Sequence, residues 1–97
     1  MKGYVYILRC ANGRYYTGST KNLEQRLAMH EQGIGANFTR KHRPVELVYA
    51  EEFERIDEAY ARENQIKGWS RKKKEALMES DFERLTILAR NYKSGRS

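Results

Sequence analysis

The chain has 97 residues and a formal net charge of +6, so it can build one modest hydrophobic core but not two domains. A basic balance of this size favours a polyanionic partner, with nucleic acid as the leading candidate. The single cysteine, Cys10, excludes an internal disulfide, and no apolar run approaches the ~20 residues of a membrane span, so we expect a cytoplasmic protein without a membrane anchor.

A β-hairpin is the first predicted element. Residues 4–10 are almost entirely apolar and β-favouring, which predicts a buried strand and leaves no room for a signal peptide. Residues 15–18 predict the returning strand, and Asn12-Gly13 is a typical turn signal between the two.

The length of the hairpin loop decides whether Tyr6 and Tyr16 share a face of the sheet. A two-residue turn pairs residues whose numbers have an odd sum, which sends the two tyrosines to opposite faces. A three-residue loop over 11–13, with Gly13 in the left-handed conformation, pairs residues of even sum and brings the tyrosines together. We predict the three-residue loop.

The rest of the chain predicts helices around one further strand. A helix from about Leu23 to Gln32 follows the N-cap residue Asn22, with Gln25 completing a capping-box pattern, and ends at Gly33. The predicted fold is α+β and sandwich-like, a small three-stranded antiparallel sheet flanked by helices in the order β-β-α-β-α-α-α, as one domain over residues 1–92. The remaining predicted elements are a basic loop over 37–43, a strand over 44–53 with Val45, Leu47 and Tyr49 facing one way, helices over 57–67, 71–78 and 82–92, and a disordered tail over 93–97.

The first predicted helix carries charged side chains on its packed side. Leu23, Arg26, Leu27 and His30 share one stripe, because residues three and four apart face the same way. The leucines face the core, so Arg26 and His30 lie at its margin, where an arginine needs an anionic partner. An arginine whose head reaches water, beside a hydrogen-bonded histidine, explains the stripe equally well.

The next helix places a carboxylate on its packed side. Glu63 shares a stripe with Ala59, Tyr60 and Ile66, and an inward carboxylate needs a cation, a metal or strong donors. A structural ion pair with Arg26 and a divalent-metal site both meet that need. Hard oxygen ligands suit Mg²⁺ or Mn²⁺, with substrate phosphate and waters completing the shell.

Two basic runs, residues 40–43 and 71–74, provide candidate contacts to phosphates. A charge run is also typical of a solvated face. Trp69 is predicted to be a core anchor, and not a platform for base stacking. The candidate nucleic-acid-binding residues are Arg40, Lys41, Arg43, Lys67, Arg71, Lys72 and Lys73.

Taken together, these segments resemble the GIY-YIG nuclease superfamily, and within it the small stand-alone bacterial branch. The resemblance covers residues 2–78, most of the chain. It rests on the combination of Tyr-Val-Tyr-Ile-Leu, Tyr-Thr-Gly-Ser-Thr and Gln-Ile-Lys-Gly-Trp-Ser-Arg-Lys-Lys-Lys-Glu-Ala-Leu with the helix stripe and Glu63.

The resemblance implies hydrolysis of DNA phosphodiester bonds by a monomer with little sequence specificity, in DNA repair or in the processing of structured DNA. The cofactor would be Mg²⁺ or Mn²⁺; RNA as a substrate and a partner that supplies targeting stay open. The implied roles are Tyr6, Tyr16, Arg26 and His30 as catalytic residues, Glu63 as the metal ligand, and Gly18 as the point where backbone approaches substrate.

The sequence leaves three functional alternatives. The first motif reads Tyr4-Val5-Tyr6, without the Gly-Ile of the family. An active endonuclease is the first alternative, and a domain that has lost catalysis but still binds nucleic acid is the second. The third is a protein-interaction domain whose stripe residues form only structural pairs.

Overall fold

A three-stranded antiparallel sheet in the order β2-β1-β3 forms the centre of the computed structural model, which describes residues 1–80. The helix expected over 82–92 and the tail expected over 93–97 lie outside the described residues. Within residues 1–80, no helix is both long and apolar enough to cross a membrane. The elements are β1 (Gly3–Arg9), β2 (Tyr15–Thr20), α1 (Leu23–Gln32), α2 (Asn37–Lys41), β3 (Glu46–Phe53), α3 (Ile56–Lys67) and α4 (Arg71–Ser80).

The hairpin has the predicted three-residue loop. Cys10 N–H donates to the Arg14 carbonyl at 2.8 Å, and Gly13 has a φ of 84°, in the left-handed region. In the resulting register Tyr6 lies opposite Gly18, so the even-numbered residues of both strands share a face. The loop length, the position of Gly13 and the common face of the two tyrosines are therefore confirmed.

The sheet separates two hydrophobic clusters. Tyr6 and Leu8 of β1 pack with Leu27 of α1 on one face. On the other face, α3 and α4 cover a second cluster, and Trp69, predicted as a core anchor, is partly buried and packs against it. Its buried members are Val5, Ile7, Tyr49, Ala59 and Ile66.

Helix α1 has the predicted bounds because its ends are chemically defined. The Asn22 side chain accepts a hydrogen bond from Gln25 N–H at 3.0 Å, which satisfies one of the free donors of the first turn. Gly33 ends the helix with a φ of 81°, a conformation that favours glycine. Between these ends, Leu27 and His30 are buried as the stripe predicts.

Three predicted details are wrong. Residues 37–41 form the short helix α2 instead of a basic loop, so the order over residues 1–80 is β-β-α-α-β-α-α. Strand β3 begins at Glu46, and its register with β1 shifts so that Tyr49 packs on the face opposite Leu47. Tyr60 leaves the packed stripe of α3 and is 49% exposed.

The hairpin loop gives a test of the backbone requirement at one glycine. A Cβ atom at Gly13 would meet nothing within 4 Å, so Gly13→Ala isolates the cost of the left-handed conformation. We expect this substitution to lower the free energy of unfolding by about 1–2 kcal/mol, measured by urea denaturation.

The matched control is Gly68→Ala. Gly68 ends α3 with a φ of −82° and has its nearest neighbour at 3.6 Å, so alanine fits there without strain. The control should leave stability unchanged or raise it by up to ~1 kcal/mol. Equal losses in the two variants would contradict the assignment of Gly13 to the left-handed region.

Candidate functional site

Two tyrosines and a histidine form the centre of the site. Tyr6 of β1 and Tyr16 of β2 lie with ring centroids 6.4 Å apart, and the His30 ring of α1 lies 5.7 Å from the first and 5.4 Å from the second. Tyr6 and His30 are fully buried, whereas Tyr16 is partly exposed. The face between the hairpin and α1 therefore brings together three of the four predicted catalytic side chains.

Gly18 makes room for the Tyr6 side chain. A Cβ atom at Gly18 would lie 2.5 Å from the Tyr6 hydroxyl oxygen and 2.7 Å from Cζ, closer than packed atoms approach. Because Tyr6 lies opposite Gly18 in the hairpin register, its ring extends across the strand at this point. The resemblance implied that Gly18 lets the backbone approach substrate. The structure shows a different role, because Gly18 leaves the space that the Tyr6 side chain occupies.

Both ring nitrogens of His30 have hydrogen-bond partners. The Tyr6 hydroxyl lies 2.9 Å from His30 Nε2, and Thr39 Oγ1 of α2 lies 2.8 Å from Nδ1. Burial lowers the pKa of His30, and the charge of Arg26 lowers it further, so the neutral imidazole is favoured. A neutral imidazole is able to accept a proton.

Burial shapes the chemistry of Tyr6 as well. It raises the pKa of the Tyr6 hydroxyl well above its ordinary value, and the nearby Tyr16 adds to this rise. The positive charge of Arg26 opposes it. The half-buried Arg26 thus acts on both Tyr6 and His30 from the margin of the site, and it is the fourth predicted catalytic residue to be found there.

Glu63 lies in the opposite layer of the molecule, and its charge acts on Tyr6 from there. It projects from α3 to the edge strand β2, where Ser19 Oγ donates a hydrogen bond to Oε1. Its other oxygen, Oε2, forms an ion pair with Lys67 Nζ at 2.6 Å. The sequence left a pair with Arg26 open; Ser19 and Lys67 are the partners instead. The carboxylate still contributes to raising the pKa of Tyr6.

Glu63 by itself provides too few ligands to hold a divalent cation unless a substrate and waters complete the coordination shell. Within residues 1–80, no group of three or more His, Cys, Asp or Glu side chains could hold a metal ion. Mg²⁺ keeps several waters and needs few protein carboxylates when substrate phosphates complete its shell. The ammonium of Lys67 lies 2.6 Å from Oε2 of Glu63, so a metal ion at that oxygen would have to displace it.

Helix α2 supplies residues that sequence reasoning missed. Thr39 is fully buried and contacts His30, and the Phe38 ring stacks on Tyr16 with centroids 6.5 Å apart. Gly35, just before the helix, lies against the His30 ring. The segment is polar and contains glycines, so it lacks the apolar periodicity that predicts a helix. The one feature that could have indicated a packed segment is the presence of Phe38 and Thr39 within a basic stretch.

Several of the predicted nucleic-acid-binding residues have structural contacts. The Arg43 guanidinium donates to the Glu31 carbonyl at 3.1 Å, and Lys67 pairs with Glu63. Arg71 donates to the Gly13 carbonyl at 2.9 Å and lies over the Tyr15 ring, which fixes α4 to the hairpin. Lys73 Nζ lies 4.4 Å from the centre of the Trp69 ring. All seven residues of the predicted set are exposed: Arg40, Lys41, Arg43, Lys67, Arg71, Lys72 and Lys73.

Comparison with known proteins identifies related sequences. Residues 2–76 match the sequence profile of the GIY-YIG catalytic domain. A UPF0213 protein of Natronomonas pharaonis is 51% identical over 75 residues, which cover 77% of this chain and 88% of the relative.

Two solution NMR structures have a similar fold. A UPF0213 protein from Bacillus halodurans is 42% identical with a TM-score of 0.54, and the match covers 81% of this chain and 84% of that one. A protein from E. faecalis is 36% identical with a TM-score of 0.58, and the match covers 82% of this chain and 85% of that one.

The lowered pKa of His30 predicts how stability depends on pH. Because the folded state binds the His30 proton more weakly than the unfolded chain, unfolding is favoured as pH falls below the unfolded pKa of about 6.5. We expect the free energy of unfolding, measured by urea denaturation, to decrease between about pH 7.5 and 5. His30→Gln should flatten this decrease.

The chain has a second histidine, His42. Urea denaturation of His42→Gln over the same pH range therefore decides which histidine causes the pH dependence. The slope should survive in His42→Gln. A slope that disappears in His42→Gln and persists in His30→Gln would contradict the assignment.

Proposed function

Because the chain belongs to the GIY-YIG catalytic domain family, among the small UPF0213 proteins, we propose that it is an endonuclease that depends on a divalent metal and hydrolyses DNA phosphodiester bonds with little sequence specificity. The observation that carries the proposal is the 2.9 Å contact between the Tyr6 hydroxyl and His30 Nε2, beside Arg26 and within electrostatic reach of Glu63. A buried tyrosine next to a neutral histidine is a pair suited to moving a proton.

Tyr6 and His30 would activate the attacking water. A tyrosine whose pKa is raised by burial is a poor base alone at neutral pH. It can accept a proton from water if it passes its own proton to His30 Nε2 in the same step. The water oxygen then forms the new bond to phosphorus as the bond from phosphorus to one sugar oxygen breaks. The imidazole becomes imidazolium, and the departing sugar oxygen takes up a proton from solvent. The lowered pKa of His30 keeps it ready to accept that proton at neutral pH.

The charge that builds on the phosphate would be balanced by cationic groups. Arg26 is the residue that would stabilise the phosphoryl oxygens, since its guanidinium can donate two parallel hydrogen bonds. Glu63 would hold one Mg²⁺ or Mn²⁺ ion, which supplies further neutralisation of the phosphate. Tyr16, with its ring next to both Tyr6 and His30, would orient the substrate.

The exposed basic side chains support DNA as the substrate class. Arg40, Lys41 and Lys72 are exposed, and they would contact phosphates, which position a protein without reading sequence. Branched, damaged or single-stranded DNA would suit such a site, in repair or in the processing of structured DNA. RNA and a targeting partner are compatible with the same contacts.

A second candidate function rests on the partners of Glu63. Its two oxygens are already engaged by Ser19 and Lys67, and within residues 1–80 no group of three or more His, Cys, Asp or Glu side chains could hold a metal ion. A domain that binds nucleic acid without cleaving it is therefore the alternative. Such a domain would keep salt-sensitive binding in the presence and absence of metal.

Nicking of supercoiled plasmid and cleavage of a branched oligonucleotide, each with Mg²⁺ or Mn²⁺, test the proposal. Glu63→Gln should lower the rate by at least about 100-fold, because metal stabilisation of the transition state contributes several kcal/mol. Tyr6→Phe should lower it by roughly 10²–10⁴-fold, the usual contribution of general acid–base catalysis.

The control is Glu58→Gln, since Glu58 lies exposed in the first turn of the same helix. It should cleave at the rate of the wild type. Equal rates in all four proteins would indicate a contaminating nuclease and reject the proposal. Absence of cleavage together with binding that survives Glu63→Gln would favour the binding module.

The phosphate contacts have a separate test in the salt dependence of DNA binding. Lys72→Gln removes one exposed charge from α4, so the slope of log K against log salt concentration should become less steep by about 1. Fluorescence anisotropy with a labelled oligonucleotide measures this slope.

Lys2→Gln is the matched control, because Lys2 is exposed immediately before β1 and pairs with Glu52 at 3.0 Å. Its slope should equal that of the wild type. A slope for Lys72→Gln that is also unchanged would remove Lys72 from the binding surface.

A further inference from the structure

The Thr39 side chain has a fixed direction of hydrogen bonding. Its hydroxyl oxygen lies 3.0 Å from the Ala36 carbonyl and 2.8 Å from His30 Nδ1, and the residue is fully buried. A carbonyl oxygen has no proton to give, so the single hydroxyl proton of Thr39 goes to Ala36. The Thr39 oxygen therefore accepts the hydrogen bond from His30 Nδ1 through one of its lone pairs.

This direction determines the proton position on His30. If the Thr39 oxygen accepts, Nδ1 carries the hydrogen, and a neutral imidazole has only one. Nε2 is then the unprotonated nitrogen, and it faces the Tyr6 hydroxyl at 2.9 Å. In the opposite tautomer, Nδ1 and the Ala36 carbonyl would both need the single hydroxyl proton of Thr39, so the bond to Ala36 would be lost.

Gly35 closes the same side of the ring. A Cβ atom at this position would lie 2.7 Å from Cε1 of His30 and 2.8 Å from Cγ, so any larger residue would push the ring or the backbone away. The absence of a side chain lets the chain segment before α2 lie directly against the imidazole. His30 and Thr39 are both fully buried there.

We propose that Thr39 is a positioning residue, supported by Gly35, that holds His30 in the tautomer whose Nε2 accepts the Tyr6 proton. The chain of donors runs from Tyr6 to His30, from His30 to Thr39, and from Thr39 to the Ala36 carbonyl. Thr39 accepts from Nδ1 before and after the proton transfer, so it need not rearrange when His30 becomes charged. The inference rests on the proposed function for its catalytic meaning.

The tautomer itself is measurable without any nuclease assay. In protein labelled with ¹⁵N-histidine, two-bond ¹H–¹⁵N correlation spectra at neutral pH distinguish a protonated Nδ1 from a protonated Nε2. The His42→Gln variant identifies the His30 signals, since these are the chain's two histidines. The wild type should show His30 with the proton on Nδ1; a proton on Nε2 would overturn the proposal.

Thr39→Val and Thr39→Ser separate hydrogen bonding from packing. Valine keeps the shape of threonine but has no acceptor, so the His30 signals should move toward the other tautomer. Serine keeps the hydroxyl and should keep the spectrum of the wild type. A spectrum of Thr39→Val identical to that of the wild type would overturn the proposal, and if the valine variant does not fold, the wild-type and serine spectra still decide.

Kinetics connect the tautomer to catalysis. Thr39→Val should lower kcat by about 10-fold or more, within the ~10²–10⁴-fold that a positioned base contributes, with little change in KM, and Thr39→Ser should restore it. A changed tautomer with kcat unchanged would overturn the positioning role. If His30 has the predicted tautomer but no variant and no wild-type protein cleaves DNA, the nuclease proposal is rejected. The role of Thr39 in setting the His30 tautomer is then still supported.

Discussion

The register of the β1–β2 hairpin is the constraint on which the rest of the site depends. One left-handed glycine adds a third residue to the loop, and this fixes Tyr6 and Tyr16 on one face of the sheet. A hairpin shorter by one residue would send one of them into the opposite cluster. His30 is then within reach of both rings because α1 packs on that face, and Gly18 leaves the space that the Tyr6 ring fills.

Local chemistry explains why so much was predictable from the sequence. The loop length followed from parity, and the bounds of α1 followed from an N-cap at Asn22 and a glycine at position 33. The inward placement of Arg26 and His30 followed from helical spacing alone. In each case the deciding interaction lies within a few residues along the chain, where turn geometry, capping and periodicity are informative.

The features that sequence reasoning missed depend on contacts between distant segments. Helix α2 lacks a side-chain cap and is short, but Thr39 and Phe38 anchor it to His30 and Tyr16. Glu63 on α3 has Ser19 and Lys67 as partners, and the first of these lies 44 positions away on strand β2. The register shift in β3 likewise depends on how its side chains fill two different clusters. Propensity and pattern do not contain this information.

The proposed site draws its parts from both sides of one sheet, with the base and the guanidinium on one layer and the carboxylate on the other. Neither layer holds a complete set, so a chain in which only one helical layer has docked has no assembled site. The proposed cleavage would therefore require both helical layers to be docked on the sheet at the same time. The two layers are connected at the edge strand β2, because Gly18 contacts Tyr6 on one face and the adjacent Ser19 contacts Glu63 on the other.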